Sequence, residues 1–414
     1  MKKKKQIILI ISIAIVAAGA IVLFRLTPRQ EKAEPDKLHT PQEEITHVDD
    51  TDENRQTISI WHQFEAGSAE EGYLKGLIDE MELPPEEYDI ETHTYPGMEM
   101  RNQLLSARQS GTLPIVAIID PEWLPELAGL DILCALDTLD GYAGMSGQLL
   151  SGALETGRIK GHTYGLPFSV TARMLISNPD IQNTDEDGAY ILGISGFDAQ
   201  NIVPFLWGNG GALTNTGQTK ATGYLDSDKN IEALENIIAM YNDNKIYDAD
   251  GDDGGLVELF GSGKIGTVIA DGQFIKMLAA AYPDFEYEVI HTSEDRGSYG
   301  ATLSSTLLAV PKSGAPEIGW ELVKKLTSEE AQIGFARLGI IPANNNALNS
   351  EAAAGADFAA IIDTLQTAKA LPNAPQWREM DNEFSLAVIR ITEGYKSVDQ
   401  GIGDLARVWD ALLY

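Results

Sequence analysis

Pro114–Ile119 reads PIVAII, an apolar run bounded by Pro114 and Pro121. A run this short, with no polar alternation, suits a β-strand covered on both faces, as in a parallel sheet packed between helices. The preceding sequence supplies its neighbours. Thr57–Trp61 and Asp89–Thr94 read as short strands. Between them Ser68 and Glu71 form a capping box, after which Tyr73, Leu74, Leu77, Ile78 and Met81 recur at helical spacing. Gly97–Ser110 reads as a second helix through Met98, Leu104 and Leu105. Strand–helix–strand–helix–strand implies right-handed crossovers, with a ligand crevice beyond the carboxyl ends of the strands. Those ends are Trp61-His62-Gln63-Phe64-Glu65 and Asp120-Pro121-Glu122-Trp123. The fold class is α/β.

Further along, Gly161–Asp180 reads as a turn followed by an apolar strand, Phe168–Ile176, stopped at Asn178-Pro179-Asp180. Pro179 donates no hydrogen bond and holds Asn178 extended. Ser195–Trp207 reads as a helix opened by Ser195 and Asp198 and closed by Gly208–Gly211. That glycine cluster ends a helix and no lysine follows it, so it is not a phosphate loop. Asp226 is expected to cap a helix bearing Ile231, Leu234, Ile237, Ile238 and Tyr241. Asp248–Gly255 imitates a calcium loop but has Asp253 where the sharp turn needs glycine, and Leu259 where a glutamate should close the shell. It reads instead as a solvated loop capping the next helix.

Function classes narrow by exclusion. The formal charge of −32 disfavours nucleic acid. The sole cysteine, Cys134, has no intrachain partner and reads as a small buried hydrophobe. The six histidines show no i, i+4 pair, and no metal is expected. G-x-S-x-G, H-E-x-x-H and a Walker lysine are all absent, so the chain reads as a non-enzyme needing no cofactor. At the start, Lys2–Lys5 precede Ile7–Phe24, a charge-free stretch that as a helix spans about 27 Å, close to a bilayer core. We read residues 1–26 as a transmembrane anchor with its N-terminus in the cytoplasm, the alternative being a cleaved signal. Thr27–Gln56, charged and poor in groups to bury, reads as a disordered tether.

Four stretches resemble the extracellular solute-binding proteins of ABC importers, the maltose-binding-like family 1. The first is Tyr164-Gly165-Leu166-Pro167 followed by Asn178-Pro179-Asp180. The second is Phe260-Gly-Ser-Gly263-Lys264 with Gly272 and Phe274; the third is Tyr299–Pro311. The fourth combines Gly319-Trp320, Leu326-Thr-Ser-Glu329-Glu330-Ala-Gln332 and Gly339-Ile-Ile-Pro342. Trp61-His62-Gln63-Phe64 also resembles a family opening, whereas Ile115 stands where the family has aspartate, and Gly266-Thr267 where it has Ala-Met.

The resemblance implies a two-lobed periplasmic-binding-protein fold of type II. Lobe 1 would hold residues 57–167 and 306–342, and lobe 2 residues 168–305 and 343–414. It implies capture of a small carbohydrate between the lobes and delivery by a monomer to ABC permease subunits. The alternative is a membrane-anchored, ligand-sensing co-receptor of a signalling protein. Sugars present apolar C–H faces and polar rims, so their sites combine flat rings with amides, carboxylates and hydroxyls. The aromatic candidates so placed are Trp61, Phe168, Phe274 and Trp377, with Trp123 and Trp207 behind them; each has a buried-core reading beside it. The polar candidates are His62, Gln63, Glu65, Asp120, Thr171, Arg173 and Gln200. Arg173 reads equally as an interlobe ion pair.

Overall fold

The computed structural model describes residues 55–81, 83–84, 86–181, 190–290, 299–353 and 356–413. The anchor segment Ile7–Phe24 and the tether, up to its last two residues, lie outside them. Among the described residues no helix is long and apolar enough to cross a membrane.

The first strand, β1 (Gln56–His62), already includes the last tether residue, and runs parallel to β2 (Tyr88–Thr94) and to β3 (Val116–Ile119). All four β3 residues are buried, as expected for a strand covered on both faces. The helix between β1 and β2, Ala69–Asp79, starts where the capping box places it. Ser68 accepts from Glu71 N at 3.2 Å, while the Glu71 carboxylate takes the amide of Gly67 at 2.6 Å instead of that of Ser68. Two caps differ from expectation. Asp198, not Ser195, opens the Ala199–Gly208 helix, because its extended backbone lets Oδ1 accept from Asn201 N at 2.9 Å. Ser227 is the N-cap of the Asp228–Asn242 helix, and Asp226 instead accepts from Gly223 N across a turn. Asp252 caps Asp253–Gly261, so the acidic loop does begin a helix.

After a small hairpin, β4 (Arg158–Ile159) with β5 (His162–Thr163), the chain enters the 13-residue β6 (Gly165–Ser177). Then come β7 (Tyr190–Ile194), β8 (Ile246–Asp248), β9 (Ile265–Ala270), β10 (Glu288–Val289), β11 (Thr302–Ala309) and β12 (Lys369–Ala370). The strand order is β2-β1-β3-β11-β6-β9-β7-β8, with β10 on β6 and β12 on β11. Two strands join the halves. Gly165–Arg173 of β6 pairs antiparallel with β11, and the next residues, Met174–Ser177, pair with β9. The far end of β11, Leu307–Ala309, pairs with β3. The paired middles of β6 and β11 therefore link the β1–β3 half to the β7–β9 half.

Core follows the same plan. One cluster joins Ile58, Ile60, Phe168, Phe260, Phe274, Leu308 and Phe335. Another gathers Ile202, Leu206, Ile237, Trp377, Phe384 and Trp409 under the C-terminal helices Trp377–Thr392 and Val398–Leu413. A third lies beneath Trp61, Met100, Ile119 and Trp123. Cys134 is half-buried and packs against the first. Helix Pro316–Leu326 approaches β3 closely enough that a Cβ at Gly319 would lie 2.2 Å from the carbonyl oxygen of Ile115. Asn344 and Asn345 keep their chain segment on the β1–β3 side. Asn344 Nδ2 donates to Thr327 O at 3.1 Å, and Asn345 N to Gln148 O at 2.8 Å.

Candidate functional site

Side chains on a strand alternate between its two faces. In β6, Ser169, Thr171 and Arg173 are partly exposed while Val170, Ala172 and Met174 are buried. The exposed set, with Thr302–Thr306 of β11, forms the floor of a cleft of about 300 Å³. Asp120 and Glu122, just past the carboxyl end of β3, form one wall. Gln200 near the start of the Ala199–Gly208 helix, Asp271, and Leu371 to Trp377 complete the rim. A larger opening of about 750 Å³ shares Ala370, Leu371 and Asn373 with it and continues towards Arg158 and Thr216–Thr219. Asn373 spans the junction, its amide donating to Thr156 O at 2.7 Å and Arg158 O at 3.1 Å.

The floor is rich in hydroxyls, four of which are paired: Ser169 Oγ with Thr306 Oγ1 at 2.7 Å, and Thr156 Oγ1 with Ser305 Oγ at 2.6 Å. Arg173 is the cation of the floor. Its Nη1 donates to Asn201 Oδ1 at 2.9 Å, and its Nη2 lies 3.8 Å from Asp271 Oδ2. Asp271 is fixed in turn, since its Oδ1 accepts from Gln273 N and Phe274 N at the start of the Gly272–Ala281 helix.

Carboxylates outnumber cations here. Burial pushes the carboxyl of Asp120 up, opposed by the Gln63 amide that donates to it at 3.3 Å. Glu122 is raised by desolvation and by the neighbouring charge of Asp120, against the pull of Arg378. Asp198, the N-cap of the Ala199–Gly208 helix, is raised by burial. Asp381, which accepts from Ala199 N at 2.8 Å, is pushed up to about 6 by burial together with Asp198 and Glu122. Among the described residues no group of three or more His, Cys, Asp or Glu side chains is placed to hold a metal ion.

Of the residues singled out from sequence, Asp120, Thr171, Arg173, Gln200 and Trp377 come together around this cleft. Gln63 sits one step back: its amide donates to Asp120 and its oxygen accepts from Gly97 N at 3.1 Å, and so it holds the Asp120 wall against the Met98–Ser110 helix. Glu65 is exposed on the loop after β1 and does not line the cleft.

Three placements correct the sequence reading. His62 is fully buried, with Glu71 Oε1 3.8 Å from its Nε2 and its basicity lowered chiefly by desolvation. Phe168 is 1% exposed and packs edge-on against Phe335 at 4.8 Å, on the buried face of β6 that it shares with Val170, Ala172 and Met174. Phe274 is also buried, 6.2 Å from Phe260. The cause is local: Asp271 starts a helix at Gly272, so Phe274 falls in its first turn and faces inward. Trp61 and Trp123 are likewise core. Trp377 is the aromatic that remains at the cleft, mostly buried and edge-on to Trp409 at 5.7 Å.

Sequence reasoning missed Glu122, Asp271 and Asn373. Glu122 was within reach, two residues beyond Asp120 at the same strand end. The other two depend on contacts made across the fold.

Residues 85–360, more than half of the chain, match the family described as bacterial extracellular solute-binding protein. The chain belongs to this family. Among curated relatives, putative binding proteins of Brucella abortus and Brucella suis are 24% identical, over 77% of this chain and 84% of theirs. Similar solved structures have the two-lobed, maltose-binding-like fold. The GacH receptor of Streptomyces glaucescens, solved unliganded and with acarbose, is 18% identical with a TM-score of 0.70, over 87% of this chain and 99% of that one. A solute-binding protein of Thermotoga lettingae bound to α-D-tagatose is 21% identical with a TM-score of 0.68, over 87% and 100%. The cyclic α-maltosyl-1,6-maltose binding protein of Arthrobacter globiformis is 16% identical with a TM-score of 0.73, over 87% and 99%. At these identities the likeness is one of fold. As a solute-binding protein of the extracellular family, the chain works outside the cytoplasm.

Proposed function

We propose that this solute-binding protein captures a small carbohydrate in the cleft over β6 and β11 and passes it to an ABC importer. The observation that carries this reading is the lining itself. One wall holds Asp120 and Glu122, and the floor and rim carry Thr171, Arg173, Gln200 and Trp377. A flat ring beside convergent donors and acceptors suits a sugar, which has an apolar face and a hydroxyl rim. That the similar structures include proteins solved with acarbose and with tagatose supports the same class. The role is binding without catalysis, carried out by a single chain.

In this reading residues 57–167 and 306–342 form one lobe, with the Asn344 and Asn345 contacts carrying the next few residues along. Residues 168–305 and most of 343–414 form the other. Phe168–Arg173 and Thr302–Thr306 act as the hinge, and ligand favours the closed form by touching both lobes. Ile7–Phe24 holds the protein at the outer face of the membrane.

The decisive experiment is titration calorimetry of the full-length protein against mono- and oligosaccharides. A saccharide binding with micromolar or tighter affinity is expected, weakened by Trp377→Phe and Arg173→Gln. Heat from a peptide or a metal ion, with none from any saccharide, would end the carbohydrate reading.

A further inference from the structure

We infer that the solute carries a protonated amine, placed against Asp120 and Glu122, so that within the carbohydrate reading it is an amino sugar or a saccharide bearing an amine. The inference rests on that reading for the saccharide part alone.

The cavity marks the site; the charges in its wall describe the occupant. Among the described residues, three carboxylates line it, Asp120, Glu122 and Asp271, against one cation, Arg173. That cation is committed, with one nitrogen on Asn201 and another facing Asp271. Asp271 therefore has its counter-charge, and Asp120 has only the neutral Gln63 amide. Glu122 feels Arg378 but also two acids, Asp120 and Asp198.

A neutral hydroxyl can donate to one such carboxylate. It does nothing about the repulsion between two, which grows as a bound solute displaces water from around them. An ammonium group supplies three donors and the missing charge together. The same excess of negative charge rejects acidic sugars and phosphosugars.

The test compares hexosamines with their own N-acetyl forms, which keep the ring stereochemistry and remove the charge. Full-length protein would be titrated at about pH 6.5 with glucosamine, galactosamine and chitobiose, with each N-acetylated counterpart, and with spermidine as an amine that is not a sugar. At least one free amine should bind about tenfold or more tightly than its N-acetyl form, as a charge-assisted hydrogen bond implies. The advantage should shrink as ionic strength rises and vanish in Asp120→Asn/Glu122→Gln. The wild-type comparison stands by itself if that double variant folds poorly. Equal or tighter binding of the N-acetyl forms overturns the inference and leaves the carbohydrate reading intact. Binding of spermidine with no saccharide in either form keeps the amine and ends the carbohydrate reading. No binding by any amine in the set overturns the inference.

Discussion

Asp381 sits at the start of the Ala199–Gly208 helix, and replacing it by asparagine should make the protein more stable at neutral pH. Its carboxyl accepts one hydrogen bond, from Ala199 N, which favours the charged form. Burial and the charges of Asp198 and Glu122 outweigh that bond and raise the group from 3.8 to about 6. At about 1.4 kcal/mol per pH unit, this shift corresponds to a penalty of about 3 kcal/mol on the folded state once the group is ionised.

The sign follows from which state binds the proton. Below about pH 4 both folded and unfolded chains are protonated and the site costs nothing. As pH rises towards about 6, the unfolded chain loses its proton first and folding is progressively weakened. An asparagine side chain in its place would keep an oxygen for Ala199 N and carry no charge at any pH. With unfolding entropy scaled to a unit of this size, about 3 kcal/mol raises the melting temperature by about 4 °C. Thermal melts of the ligand-free protein and of Asp381→Asn, taken at about pH 4.5, 6 and 7.5, should show a gain that grows with pH. A variant that melts at or below wild type at about pH 7.5, or whose gain is the same at every pH, would refute the reasoning.

Phe274→Ala should cost about 3–5 kcal/mol in chemical denaturation, since it empties a packed site beside Phe260. A variant of full stability but weak ligand binding would instead return Phe274 to the cleft. Gly319→Ala should lower stability by several kcal/mol, because its Cβ would meet the backbone carbonyl oxygen of Ile115 at 2.2 Å and neither the helix nor that carbonyl is free to give way; an unchanged melting temperature would mean the helix sits farther from β3. Ser328→Ala removes the cap that accepts from Ala331 N at 3.3 Å and should cost about 1 kcal/mol by urea denaturation.

Much of the architecture was legible in the sequence. The doubly covered β3 and the helix after Ser68 follow from local pattern. Hydrophobic period and capping chemistry act within a few residues, so the chain itself carries them. The position of the cleft was also within reach, because ligand sites in such sheets lie past the strand ends, where Asp120 stands.

The direction of individual side chains was not. Phe168 and Thr171 lie three residues apart on β6, and alternation alone puts them on opposite faces. Which face is core depends on what packs against it across the fold, as Phe335 does against Phe168. Phe274 turned inward because one aspartate, Asp271, began a helix there. Asp198 and Asp381 became neighbours across a separation that no spacing rule reaches, through a single hydrogen bond to Ala199 N. Local propensity determined which elements form; the crossing of β6 with β11 decided which of their residues line the cleft. Facing and burial are set by long-range packing, and a sequence read in short windows carries no record of it.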